Sequence, residues 1–412
     1  MSFILWLVLL NSGKQLLTNE VIVKEIRIRG NHHTKEKTIL NYCEFKVGDK
    51  LSHRKLNQKI EKTCQKLTST FYFWRVDAFL LPPSDSQEVV VLIEVEEGFL
   101  WRFGGGPIYI SMGRDNLFGK AKNIKGKLGL NIQSIHYQDM MLFDTRFIID
   151  ILGYHRVGKK FLGEEFKIEN TMETFLMEKL GLKTAFGYRC NLDTEVGVGL
   201  SLEKLSFTTE QISAHRKKVL GIESDKKKIS FTPVLKWDTR NSIEYPTCGN
   251  TILLKSEISD KRVGSNYEFG MVSLCMEKYF TLRKTHIIYW KILVGDSWEA
   301  IPYFCLFNIS RIDGLRAPGY YSYTGNTVLL VTCEYKHKLF SFPIMGVGEW
   351  VDGVLFGDFG RTWDEDAPIN VSTLLYALGV GIRIHFPMPV GLDVRLDYGI
   401  GKNGGKFYFK IE

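Results

Sequence analysis

The stretch 391-GLDVRLDYGI-400 alternates without a break. Leu392, Val394, Leu396 and Tyr398 fall on one side of an extended chain, and Asp393, Arg395 and Asp397 on the other. Successive side chains of a strand point to opposite faces, so one face here is greasy and the other fully charged. In 228-KISFTPVLKW-237, Ile229, Phe231, Leu235 and Trp237 oppose Lys228, Ser230, Thr232 and Lys236. In 330-LVTCEYKHKL-339, Val331, Cys333, Tyr335 and Leu339 oppose Thr332, Glu334, Lys336 and Lys338.

From Trp101 onward helical spacing nearly vanishes and such segments recur. We count about 16, each roughly 9–11 residues long, the length that crosses a bilayer as a tilted strand. They are expected near 103–112, 123–132, 135–142, 147–157, 175–190, 195–206, 227–239, 251–262, 267–280, 285–295, 302–310, 327–339, 351–363, 374–387, 391–401 and 404–412. A soluble sandwich also alternates. The large, even strand number and the full charges on the polar face favour an antiparallel transmembrane barrel, which leaves no backbone group unpaired in lipid. No 18-residue apolar run is present, which says nothing against strands that cross a membrane.

Upstream the pattern differs. Residues 21–31 alternate, 34–45 carry Ile39, Leu40 and Cys43 at helical spacing, and 52–69 read as a helix capped by Ser52 with Leu56, Ile60, Cys64 and Leu67 as its stripe. Two strands follow, FYFWRVDAFLL and EVVVLIEVEEG, separated by Pro82-Pro83. The order β-α-α-β-β over residues 21–98 predicts a small α+β domain, a three-stranded sheet with two helices on one face. The opening MSFILWLVLL has the length of a signal-peptide core, so residues 1–20 are expected to be an export signal and 99–412 the barrel.

The formal net charge is +8, from 54 basic and 46 acidic residues of 412. The basic residues are spread along the chain, which excludes a nucleic-acid patch as the organising feature. The seven cysteines show no metal spacing and no disulfide framework. No GxSxG, HExxH or phosphate-loop pattern occurs, and Gly104-Gly105-Gly106 has no following helix to make a phosphate cradle. No enzyme chemistry and no cofactor are expected.

Four motifs in order carry a resemblance. 114-RDNLFGKAKNIKG-126 is similar to an "NLFG-G" element, 237-WDTRNSIEYPTCGN-250 to a "D-x-R … P-x-x-G" hairpin, 313-DGLRAPGYYSYTGN-326 to an "RG(F/Y)" loop and 356-FGDFGRTW-363 to an "F-x-D-x-G" strand. With the N-terminal module, which resembles a POTRA domain, the chain resembles the BamA/TamA superfamily of outer-membrane assembly and secretion barrels. It departs from the pattern where Ala317-Pro318 separate Arg316 from Gly319-Tyr320, and where the chain ends Phe409-Lys-Ile-Glu412 without a terminal aromatic.

The resemblance implies a bacterial outer-membrane protein with its N-terminal module in the periplasm; an organellar outer membrane is the alternative. The loop arginine, Arg316, is expected to enter the lumen with Gly319 and Tyr320 and to meet Asp358 beside Gly360, with Glu334 as second partner. A guanidinium is planar, permanently charged and able to bond two carboxylates at once. The first strand, with Gly104, Gly105, Gly106 and Pro107, is expected to meet the last, with Gly404, Gly405, Phe407 and Phe409, in a weak seam that templates incoming strands. Expected partners are unfolded outer-membrane protein clients, membrane lipid, and periplasmic chaperones or accessory lipoproteins through residues 21–98. Within that module Phe73 and Trp74 are candidate anchors. The implied function is assembly or insertion of outer-membrane proteins; the alternatives are a two-partner-type secretion pore and a structural surface barrel.

Overall fold

The computed structural model describes residues 20–81, 88–106, 108–161, 167–168, 171–172, 174–208, 212, 217–218, 220, 222, 225–243, 245–283, 285–309, 314–316, 324–342, 349–364, 369–386, 392–402 and 404–411. Of the expected export signal, residues 1–19 lie outside them and Glu20 begins the first strand; Pro107, Gly319 and Tyr320 also lie outside them.

The N-terminal module consists of β1 (Glu20–Arg29), α1 (Glu36–Leu40), β2 (Lys50–Ser52), α2 (His53–Thr68), β3 (Phe73–Leu81) and β4 (Glu88–Glu97). Its sheet runs β2-β1-β4-β3, with β1 and β4 parallel and the other pairs antiparallel. The expected three strands are thus joined by a short fourth, which covers the free edge of β1. Ser52 caps α2, its hydroxyl accepting from the Lys55 N–H at 3.4 Å. Leu56, Ile60 and Leu67 of α2 are buried with Val21, Val23, Ile39, Phe45, Val91 and Ile93. Phe73 belongs to this core, and of the two candidate anchors it is Trp74 that is exposed. Strand alternation explains the split, since neighbours must face opposite ways.

Among the described residues from Trp101 on, two short pairs stand apart, Lys167–Ile168 with Thr171–Met172 and Phe307–Asn308 with Thr324–Gly325, and sixteen strands form one antiparallel sheet in chain order. They are β5 (Trp101–Gly106), β6 (Tyr109–Leu117), β7 (Lys122–Gly129), β8 (Ile132–Leu142), β9 (Phe147–Phe161), β10 (Thr174–Arg189), β11 (Thr194–Thr208), β12 (Lys226–Asp238), β13 (Gly249–Ser259), β14 (Phe269–Arg283), β15 (His286–Trp298), β16 (Thr327–Phe342), β17 (Glu349–Trp363), β18 (Leu375–Phe386), β19 (Leu392–Gly401) and β20 (Gly404–Ile411).

The strand number matches the expectation through two offsetting differences. The single strand expected at 103–112 is the hairpin β5–β6. The strand expected at 302–310 does not join the barrel: Tyr303–Cys305 is a 3-10 turn, and Phe307–Asn308 pairs only with Thr324–Gly325. Its apolar residues face protein instead of lipid. Phe304 packs on Phe207 and Tyr267, with ring centroids at 5.6 and 5.5 Å.

The two faces separate as alternation dictates. On β18, Tyr376, Leu378, Val380 and Ile382 are exposed, while Ala377, Arg383 and His385 are buried on the other face. On β19, Leu396 and Ile400 point out and Asp397 in. An apolar outer belt around a polar interior is the pattern of a membrane-spanning barrel.

The module packs on one rim. The β6–β7 turn, Asn116 to Ala121, runs through positive φ at Asn116, Phe118, Gly119 and Ala121. Its Gly119 carbonyl accepts from the Lys35 N–H at 3.0 Å and the Thr38 hydroxyl at 2.7 Å. Asn116 donates to Thr34 Oγ1 at 2.8 Å. Ala121 and Met141 are buried within the module's own core. Lys62 and Lys66 of α2 pair with Asp193 on the β10–β11 turn, at 2.6 and 3.2 Å.

Candidate functional site

The connection from β15 to β16 leaves the rim opposite the module and turns back into the interior. It is held there first by apolar contacts: Leu315 and Ile309 are buried against Val328 and Leu330 of β16 and Ala377 of β18. The Leu315 N–H closes onto the Ile309 carbonyl at 2.8 Å. The next residue, Arg316, is the largest side chain in the described chain to be almost wholly buried, with 1% exposed.

Three strands supply carboxylates to it. Asp358 on β17 accepts from Nε and Nη2, both at 2.7 Å, and from the Arg316 backbone N–H at 3.1 Å. Glu334 on β16 accepts from Nη1 at 2.5 Å, and Asp397 on β19 from the same nitrogen at 3.2 Å. The face of the guanidinium lies over the Phe356 ring, 3.6 Å from its centroid. Edge donors thus meet carboxylates and the flat face meets an aromatic, the two modes open to a planar cation. Gly399 on β19 leaves room for the loop; a Cβ there would collide with the Arg316 carbonyl oxygen.

A second ring of cations balances these acids. Arg383 on β18 bonds Asp397 and lies 3.5 Å from Glu334. Arg395 on β19 donates to Asp397 at 3.0 Å, and Lys336 on β16 stands 3.4 Å from Glu334. Buried charges are tolerable only when compensated in this way.

The structure brings Arg316, Glu334 and Asp358 together, with Gly360 two residues beyond Asp358 on the same inner face and buried. Gly319 and Tyr320 lie outside the described residues. Asp397, Arg383, Arg395 and Phe356 were not anticipated. Parity alone put Arg395 and Asp397 on a charged face; nothing in the sequence put that face beside the loop. Phe356 shares the inner face of β17 with Trp350 and Val354, so being aromatic did not single it out.

The other expected site falls at the ends of the sheet. Gly104, Gly105 and Gly106 are in β5 and pair only inward, with β6. Gly404, Gly405, Phe407 and Phe409 are in β20 and pair with β19. Among the described residues no ladder joins β5 to β20. Phe103, Phe407 and Phe409 are exposed on the outer face of these two strands.

Comparison with known proteins decides the family. The model of the Omp85 superfamily domain matches residues 116–298, and the POTRA model, described as surface antigen variable number repeat, matches residues 21–98. The chain belongs to the Omp85 superfamily. Along the sequence it is 23% identical to the outer membrane protein assembly factor BamA of Nitratidesulfovibrio vulgaris, over 95% of this chain and 51% of that protein. The chain thus spans about half the length of this curated relative. Among solved structures it resembles CdiB from Escherichia coli (TM-score 0.66, 12% identity, 95% of this chain and 76% of that one). It also resembles BamA from Haemophilus ducreyi lacking POTRA domains 1–3 (TM-score 0.55, 13% identity, 95% and 83%). At these identities the structural likeness speaks for the Omp85 fold alone.

Proposed function

We propose that this Omp85 protein assembles other outer-membrane proteins, receiving them at its POTRA module and passing their strands through the seam between β5 and β20. The observation that carries this reading is the pair of unjoined strands at the two ends of the sheet. An unpaired edge exposes a row of N–H and C=O groups on which an incoming strand can be templated. No chemistry is needed, since burial of the client's own apolar face in lipid supplies the free energy.

Connection lengths support the orientation. The module-side turns after β6, β8 and β10 are short, 118–121, 143–146 and 190–193, whereas the far-side connections after β9, β11 and β15 run 162–173, 209–225 and 299–326. Outer-membrane barrels keep short turns on the periplasmic side and long loops outside. The module, in this reading, faces the periplasm, where it meets unfolded clients, chaperones or accessory lipoproteins. In this reading the Arg316 cluster pins the long outer loop inside the barrel while the seam works.

Depleting the protein from its bacterial host and quantifying the outer-membrane proteins by mass spectrometry tests the proposal. A broad fall supports assembly. Loss of one exported protein alone points to a dedicated secretion pore, and an unchanged inventory overturns both.

A further inference from the structure

The connection between β12 and β13 breaks the rule of short turns on the module side: it occupies residues 239–248. It is stiff. The Asn241 side-chain oxygen accepts from the N–H groups of Thr247 and Cys248, at 3.0 and 3.2 Å. Arg240 clasps Asp238 at 3.0 and 2.7 Å. At the base of the turn, Lys66 of α2 donates to the Asp238 carbonyl at 2.8 Å.

From this base the turn reaches across the interior. The Tyr245 hydroxyl donates to Asp352 on β17 at 2.7 Å. Its ring meets Trp350 and His385 edge-on, each at 5.0 Å between centroids, and those two rings stack on each other, also at 5.0 Å. Asp352 is fully buried and stands 3.2 Å from His385. A side chain rooted between β12 and β13 is thus held by strands four and five places further round the sheet. Asp352 and Asp358 lie on the same inner face of β17, one held by Tyr245 and the other by Arg316. A cavity of about 360 Å3 is lined by both Tyr245 and Arg316, together with Pro246 and Glu334.

We propose that Tyr245 is a second latch of the barrel, closing the lumen from the module side while the Arg316 loop closes it from the outside. The lumen is clear only while both are withdrawn, so loosening either one raises the fraction of time that the path is open. The inference rests on the preceding reading only in taking the barrel to span a bilayer, and it holds whichever client is handled.

Single-channel recording of the full chain in planar lipid bilayers tests it, with folding of each variant checked by its heat-modifiable migration on a gel. Tyr245→Phe loses one hydrogen bond and keeps the ring contacts, so its open-to-closed ratio should rise about fivefold over the parent. Tyr245→Ala, which also loses both ring contacts, should rise further. Combined with Arg316→Ala it should conduct more than either single variant. Folded Tyr245 variants that conduct like the parent, alone and in the Arg316→Ala background, would overturn the latch. Where Tyr245→Ala does not fold, Tyr245→Phe decides by the same criterion. Because no client enters this measurement, open Tyr245 variants beside an unchanged outer-membrane inventory would retire the assembly reading and leave the latch standing.

Discussion

Arg316 lies flat on Phe356, its guanidinium carbon 3.6 Å from the ring centroid, while the nitrogens at its edge reach Asp358, Glu334 and Asp397. An ammonium has no flat face and no fork, so lysine reproduces neither contact.

Arg316→Lys is therefore expected to behave more like a deletion than a conservative change. Removing one partner from such a buried network costs on the order of 3–5 kcal/mol. The loop 299–326 should become sensitive to protease added from the outer side, while the barrel keeps its folded mobility on an unboiled gel. A loop as resistant as the parent's in Arg316→Lys would show that apolar contacts through Leu315 suffice.

Charge reversal is expected to be asymmetric. Arg316→Glu should impair assembly and loosen the loop. Adding Asp358→Arg should restore only part of the loss, because the introduced carboxylate still faces Glu334 and Asp397. Full recovery in the double variant would mean that Asp358 is the sole partner that matters.

The junction between module and barrel offers a different target. Asn116 is fully buried; it donates to Thr34 and accepts from the Ala121 N–H at 2.9 Å. Asn116→Ala should cost about 1–3 kcal/mol by leaving buried groups unpaired. Gly119→Ala should be worse, since φ is +69° and a Cβ would collide with the His33 carbonyl. Faster hydrogen exchange at Lys35 and Thr38, with the barrel core unchanged, is the expected signature.

The same junction should loosen in acid. Burial raises the Glu97 pKa, but hydrogen bonds from Thr34 and His33 outweigh it and hold the carboxyl below its ordinary value. A group depressed in the folded state adds stability above its unfolded pKa and loses it as pH falls through the folded one. Exchange of the Thr34 and His33 amides should therefore quicken as pH drops below the usual carboxylate range, after correction for intrinsic exchange. Glu97→Gln should abolish the dependence; its persistence would point to another group.

Cysteine labelling reads out the lipid belt. Burial pushes the Cys43 thiol up to about 12 and Cys64 to about 11, so neither should react near neutral pH. Cys190 and Cys248 are exposed on the module-side rim, and Cys333 on the outer face of β16. A membrane-impermeant maleimide reaching the module side should modify Cys190 and Cys248 in liposomes and spare Cys333. Rapid modification of Cys333 in the bilayer would place that face in water.

Two features of the barrel were misassigned from sequence for definite reasons. The apolar residues near Phe304 read as a strand because alternation does not say whether grease meets lipid or protein. The hairpin β5–β6 read as one strand because Gly104 to Gly106 carry no side chains to mark a face. The N-terminal module was more legible, since its core is built from local stripes such as Leu56, Ile60 and Leu67 on α2. Even there, the three-residue β2 was too short to leave a pattern.

By itself the sequence determined the class of fold and which face of each strand looks inward, because side-chain parity is fixed by the backbone. It also singled out Arg316, the one cation in the stretch 313–326. Only the tertiary structure decided that Asp397, Arg383 and Arg395 share its site, and that Tyr245 crosses to Asp352. Those contacts join residues far apart in the chain, and their meeting depends on how the sheet curls, a property of all sixteen strands together.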